Sequence, residues 1–159
     1  IGGAPKADQI VRAGVAKVVD VQCGYDYKPG ATLNSQMSLR YCLAVALLDG
    51  EALPAQFRDD RIADPAVTDL ARRIELVPDT ELDGLYPTHY SGWAEVDGER
   101  AFIKDPAGAV TNPNREAALR GKAHALFADI QHADAARALE AVVDAGAGKA
   151  SGLLGAMAG

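Results

Sequence analysis

The sequence predicts an α+β domain: a small antiparallel sheet of three to four strands, packed with helices on one side and followed by a C-terminal helical pair. Three observations predict it. VAKVVDVQC, residues 15–23, alternates apolar and polar side chains; two β-prone runs flank Asp97-Gly98; and helix-period segments occupy the last third of the chain.

The elements follow in order. In VAKVVDVQC, Val19, Val21 and Cys23 fall on one face and Asp20 and Gln22 on the other, the period-two pattern of a strand with one buried side. GYDYKPG, residues 24–30, is a turn-rich loop punctuated by Pro29-Gly30. A helix is then expected from about Asn34 to Leu48. Its second half, Tyr41 to Leu48, is eight apolar residues in a row, whereas its first half carries Asn34, Ser35, Gln36, Ser38 and Arg40. Gly50 is placed to take the left-handed conformation that ends helices. Residues 53–62 form a connector with a turn of helix through Ala55 to Phe57.

Asp64-Pro65 reads as an N-cap followed by proline at the first helical position, opening a helix to about Arg73. IELV, Ile74 to Val77, is a strand stopped by Pro78, and DTELDGLYPTH, residues 79–89, reads as loop. SGWAEV and ERAFIKD flank an Asp-Gly pair that favours the type I′ turn of a tight hairpin. DPAGAVTNP is a loop ending in an Asn-Pro helix start. Helices are expected over residues 114–129 and 134–145, the second striped by Ala136, Leu139, Val142 and Val143. No internal repeat is present. The chain reads as a single domain over 1–159, with residues 14–146 as its core and a small-residue tail, 147–159, that docks weakly or frays.

Composition narrows the function. The chain has 159 residues, 48% apolar and 24% charged, with net charge −6, which suits a globular protein and argues against a nucleic-acid or anionic-membrane partner. No run approaches the roughly 20 apolar residues that span a bilayer. Cys23 and Cys42 are too few for a disulfide framework and read as reduced thiols of a cytoplasmic protein. IGGAPKADQ lacks the basic and apolar regions of a secretory signal. It also lacks an initiator methionine, which suggests a processed chain or a piece of a longer one.

Individual motifs announce little chemistry. The glycines have no strand-GxGxxG-helix context, and no lysine follows a glycine-rich loop in the Walker manner. His89, His124 and His132 are scattered, without carboxylates or cysteines at metal-ligand spacing. Asp59-Asp60 sits between Arg58 and Arg61 and reads as a charge-balanced connector rather than an acid/base pair. Ser38 has no histidine near it in sequence. Trp93 and the tyrosines form no aromatic-plus-basic array suited to single-stranded nucleic acid.

SLRYCLAVALLDGE, residues 38–51, resembles the signature segment of the MmgE/PrpD family, in which a Ser-Leu-Pro-Tyr-like tetrapeptide leads into an apolar helix ending in Leu-Leu-Asp-Gly. Members include 2-methylcitrate dehydratase and cis-aconitate decarboxylase. QFRDDRIADPAVTDLARRIELVPDTELD, the Trp93 to Ile103 hairpin and KDPAGAVTNPNREAALRGKAHAL resemble further family segments in the same order, so the likeness runs from about Val15 to Val143.

The resemblance implies the smaller α+β lid of a two-domain enzyme whose large helical domain is absent here. The lysine and histidine that family enzymes carry near the substrate precede this stretch and cannot be assigned. Tyr41 carries over as the active-site tyrosine, with Ser38 and Gln36 as neighbouring hydrogen bonders. Arg40 stands where proline or a neutral residue is usual, and either binds a polycarboxylate or points to solvent. Ala123, after Lys122, replaces a common phenylalanine, which touches that helix's packing more than the chemistry.

The implied reaction is elimination or decarboxylation on a small di- or tricarboxylate, of the 2-methylcitrate dehydratase type, with no metal and no organic cofactor. Tyr41 would donate to a substrate carboxylate or relay a proton, acting as an acid only if its neighbours lower its pKa from about 10. The expected partners are the substrate, the helical domain and a second copy in a homodimer, with no nucleic acid or membrane. The chain alone is expected to be inactive. A non-catalytic dimerisation or association module is the alternative, and a self-sufficient enzyme built on Tyr41, Lys28 and Lys104 a third reading.

Overall fold

The computed structural model describes residues 9–128, 130 and 133–144. The chain divides into two compact units, Ile1–Pro106 and Ala107–Gly159.

The first unit is built on four strands: β1 (Val11–Val15), β2 (Ile74–Pro78), β3 (Gly92–Val96) and β4 (Glu99–Ile103), in the spatial order β2-β1-β3-β4. β3 and β4 form the hairpin that Asp97-Gly98 predicts. Asp97 has φ 54° and Gly98 φ 86°, the pair of positive values that a type I′ turn needs. β1 runs antiparallel to β3, with Val11 opposite Val96, but parallel to β2, with Val11 opposite Ile74. The sheet is therefore mixed rather than wholly antiparallel. Parallel neighbours need a long crossover, and here the helical segment between β1 and β2 provides it.

That segment holds α1 (Lys17–Cys23), α2 (Thr32–Gln36), α3 (Leu39–Asp49), a 3₁₀ turn (Pro54–Phe57), α4 (Asp59–Ile62) and α5 (Pro65–Arg73). Side chains alternate across a strand, so Val11, Ile74 and Val96 share one sheet face. They meet Tyr41, Ala44 and Val45 of α3 and Val67, Leu70 and Ala71 of α5 in the main core. On the opposite face Trp93 and Val77 pack with Ala16, Val18, Val19, Leu82 and Leu85. Gly14 lies opposite Trp93 in the ladder, and a Cβ on Gly14 would land on the indole ring.

Three local expectations change. The strand expected over residues 15–23 ends at Val15, and Lys17–Cys23 is helical. The valines there do not alternate about a sheet: Val18 and Val19 both pack toward Leu82 and Trp93, while Val21 is 75% exposed. The Lys17 N–H is held by the Asp83 carboxylate at 2.7 Å, a long-range helix cap that no local pattern announces.

The single helix expected over residues 34–48 is two helices, broken at Met37-Ser38. Ser38 is extended (φ −89°, ψ 112°) and its side chain accepts the Tyr41 N–H as the N-cap of α3. Within the apolar run of α3, Tyr41, Ala44 and Val45 are enclosed, whereas Ala46 is exposed.

The stretch read as loop after Pro78 contains α6 (Thr80–Leu85). Asp79 caps it by accepting the Glu81 N–H at 2.9 Å, and Leu82 and Leu85 at i, i+3 give it an apolar stripe.

α5 starts as its Asp-Pro pair predicts, with the Asp64 carboxylate accepting the Ala66 N–H at 2.8 Å. Arg61 ties that cap to the end of α3, donating to Asp64 and, at 2.5 Å, to Asp49. Gly50 terminates α3 at φ 82°, as expected.

The second unit contains α7 (Arg115–Phe127) and α8 (Ala133–Asp144). Arg120 donates to the Val143 carbonyl at 2.6 Å, and His124 lies 3.7 Å from Glu140. His132, Ala145 and the small-residue tail lie outside the described residues.

Candidate functional site at the start of α3

The first turn of α3 sends successive side chains in different directions, because residues on a helix are about 100° apart. Tyr41 points inward and is fully buried. Its ring packs between Tyr27 and Phe57, with centroids 5.0 and 5.6 Å away. Its hydroxyl donates to the Gln56 carbonyl at 2.5 Å. Burial, reinforced by the nearby Tyr27, pushes the Tyr41 phenol up to about 12. That is opposite to the lowering an acid role requires, so at neutral pH Tyr41 is a hydrogen-bond donor and neither a base nor a ready acid.

Ser38 is also fully buried and is occupied as the helix cap. Behind it, the hydroxyls of Ser35 and Tyr27 lie 3.2 Å apart in a buried hydrogen bond. Gln36 ends α2 with an exposed side chain, and its carbonyl accepts from the Cys42 thiol at 3.6 Å. Burial raises the Cys42 thiol above its ordinary value, which keeps it protonated.

Arg40 divides its guanidinium between structure and surface. One terminal nitrogen donates to the Ile74 carbonyl, tying α3 to the start of β2. The other lies 3.8 Å from Asp26, whose own side chain is 93% exposed. Nε is buried without a partner. Arg40, Lys28, Arg72, Asp26 and Tyr27 line a cavity of about 340 Å³. Three cations and one carboxylate line it, and Arg72 also meets Asp69 at 3.7 Å outside it, so the lining itself carries a net positive charge that favours anionic ligands. Arg72 and Tyr27 carry no functional mark in the sequence; they join Arg40 and Lys28 only because α5 and the loop before α2 converge on the start of α3. Lys104, by contrast, lies beyond β4 and does not line this cavity.

Sequence reading missed a second pair. His89 Nδ1 lies 3.0 and 3.1 Å from the two carboxylate oxygens of Asp105. Sixteen residues separate them. The hairpin ladder brings them together, since Gly92 pairs with Ile103 and the flanking Ser91 hydroxyl donates to the Lys104 carbonyl.

The first unit is thus a mixed-sheet α+β unit with a cation-lined cavity at the start of α3. Comparison with known proteins then places the chain. Residues 5–145 match the family model for the MmgE/PrpD C-terminal domain, and the chain belongs to that family. It is similar to a cis-aconitate decarboxylase from Aspergillus terreus, 40% identical over 65 residues, which cover 38% of this chain and 13% of that relative. The match thus spans well under two thirds of the relative's length. Among the described residues, no helix is long and apolar enough to cross a membrane.

Proposed function

We propose that the chain is the lid-type domain of a lyase acting on small di- or tricarboxylates, of the 2-methylcitrate dehydratase and cis-aconitate decarboxylase kind. The observation that carries this reading is the convergence of Lys28, Arg40 and Arg72 on one cavity. Each carboxylate of such a substrate needs cations or N–H donors held out of bulk water. This face of the domain supplies the cations.

Tyr41 enters the reaction in its neutral form. A phenol raised to about 12 stabilises developing negative charge by donating a hydrogen bond, and it cannot take a proton from carbon. Its hydroxyl now serves the Gln56 carbonyl, so engaging substrate requires exchange of that acceptor through movement of the 3₁₀ turn. Tyr41 is therefore not the base that removes the proton alpha to a carboxylate. A helical partner domain supplying it agrees with a family model that describes a C-terminal part. On this reading the isolated chain binds substrate weakly and turns nothing over.

The test combines the chain with a helical domain from a family enzyme and follows hydration of cis-aconitate. Turnover should require both parts. Lys28→Met with Arg72→Met should raise KM at least tenfold with little change in kcat, and Tyr41→Phe should lower kcat. Assembly without turnover would favour an association module, and turnover indifferent to all three substitutions would remove the proposed site.

A further inference from the structure

A second cavity, of about 430 Å³, lies in the first unit. Ala13, Val15, Ala94 and Ile103 of the sheet and Leu39 and Leu43 of α3 help to line it, and these surfaces are apolar. Tyr86, His89 and Tyr90 stand along it, the two tyrosines edge to face with centroids 5.5 Å apart. Pockets of roughly 300–1,000 Å³ with apolar walls and a few oriented polar groups are the usual form of small-molecule sites.

The oriented group is His89. Its side chain is 20% exposed and that of Asp105 13%, so the pair is largely shielded from water. A carboxylate can only accept, so the hydrogen bond to Asp105 places the ring proton on Nδ1. In the neutral ring Nε2 is then an acceptor. Among the described residues it has no protein partner, and it is not sealed in the interior, since Arg40 Nε is the unpartnered buried side-chain atom found there. Ser91 does not complete a nucleophilic triad, because its hydroxyl donates to the Lys104 carbonyl at 2.7 Å.

We infer that this cavity binds a small, largely apolar molecule bearing one hydroxyl group, an alcohol or a phenol, whose O–H donates to His89 Nε2. The ring or alkyl body fills the space between the sheet and α3. Asp105 fixes the imidazole's tautomer and angle. None of the residues lining this cavity is a lysine or an arginine, which disfavours a polycarboxylate there. The site is thus separate in chemistry from the cation-lined cleft.

The probes are 4-propylphenol and propylbenzene, which share a body and differ in the hydroxyl. Each is titrated into the full chain, with the imidazole ¹⁵N signals of His89 as readout. The phenol should bind about tenfold tighter, the worth of one hydrogen bond to a shielded acceptor, and should move the Nε2 resonance more than that of Nδ1. His89→Ala should close the gap between the probes. Ala101→Phe, which fills the cavity from β4, should abolish binding of both. Equal affinity of the two probes in the wild-type chain, undiminished binding in Ala101→Phe, or no binding of either up to its solubility would overturn the inference.

Discussion

Replacing Tyr41 with phenylalanine removes one oxygen from the middle of the main core and nothing else. The ring keeps its place between Tyr27 and Phe57, so no packing cost enters. What is lost is the 2.5 Å bond to the Gln56 carbonyl. Gln56 is half-buried, so the loss falls between the roughly 1 kcal/mol of a bond whose partners regain water and the ~3 kcal/mol of a carbonyl left without a donor in the interior. Urea unfolding at pH 7 should therefore show Tyr41→Phe less stable by about 1–3 kcal/mol with an unchanged m-value. The pH dependence gives an independent reading. Because folding raises the phenol from 10.0 to about 12, the neutral hydroxyl contributes stability that is whole below pH 10. That contribution is lost as pH rises through the folded value, because the unfolded chain ionises first. The wild-type protein should then lose more stability than the variant above pH 10, and the gap between them should narrow. A gap near zero at neutral pH, or one that stays constant or widens above pH 10, would refute the account of Tyr41 as a shielded donor.

Other substitutions test the frame around the site. Gly14→Ala should destabilise the first unit by about 1–3 kcal/mol, the usual cost of overpacking, with partial rescue by Trp93→Phe in a double-mutant cycle followed by urea unfolding. Asp64→Ala removes the cap of α5 and one partner of Arg61, and a loss of about 1–2 kcal/mol in the same assay is expected. Asp79 is held below its ordinary 3.8 by the Trp93 indole N–H and then by the Glu81 N–H. Its stabilising contribution is therefore whole above that value and is lost as pH falls through the lower folded value. Asp79→Asn should flatten the stability profile of the acid limb below pH 3.8, measured by Trp93 fluorescence.

The elements legible in the sequence are those whose causes are local. Asp97-Gly98 specifies its turn by backbone preference, and Asp64-Pro65 specifies a helix start by cap and ring geometry. Residues 17–23 are different, because the carboxylate that caps this helix and the apolar surface it packs on both come from distant segments. An apolar-polar alternation of valines cannot report which surfaces will be offered to it. α6 did leave a local mark in the Asp79 cap and the Leu82/Leu85 spacing, masked by its shortness and by Gly84 inside it. The break at Ser38 is disguised because the residues on both sides are helical.

The sites divide along the same line. Tyr41 became visible only through the resemblance of SLRYCLAVALLDGE to a known segment; of the two roles left open for it there, donor or proton relay, the raised phenol favours the donor. Arg72 joins the cleft through the packing of α5 and α3, and Asp105 reaches His89 through strand pairing. Neither convergence exists until the chain is folded.

The polar start of α3 now has a physical explanation. Ser38 turns inward because the helix needs a cap, Tyr41 because the core needs a ring, and Arg40 reaches both the Ile74 carbonyl and the cationic cleft. Leu39 and Leu43, an i, i+4 pair, line the apolar cavity instead. One helix turn thus contributes to two sites of opposite character. Lys28 and Arg72 line the cationic cleft but not the apolar cavity, and Ala101 lines the cavity but not the cleft. The Lys28→Met/Arg72→Met chain should therefore retain full affinity for 4-propylphenol, while Ala101→Phe should leave the KM for the tricarboxylate unchanged in the two-domain assay. If either substitution impaired both functions, the two cavities would have to be regarded as one coupled site, and the separation drawn from the side-chain directions of α3 would be wrong.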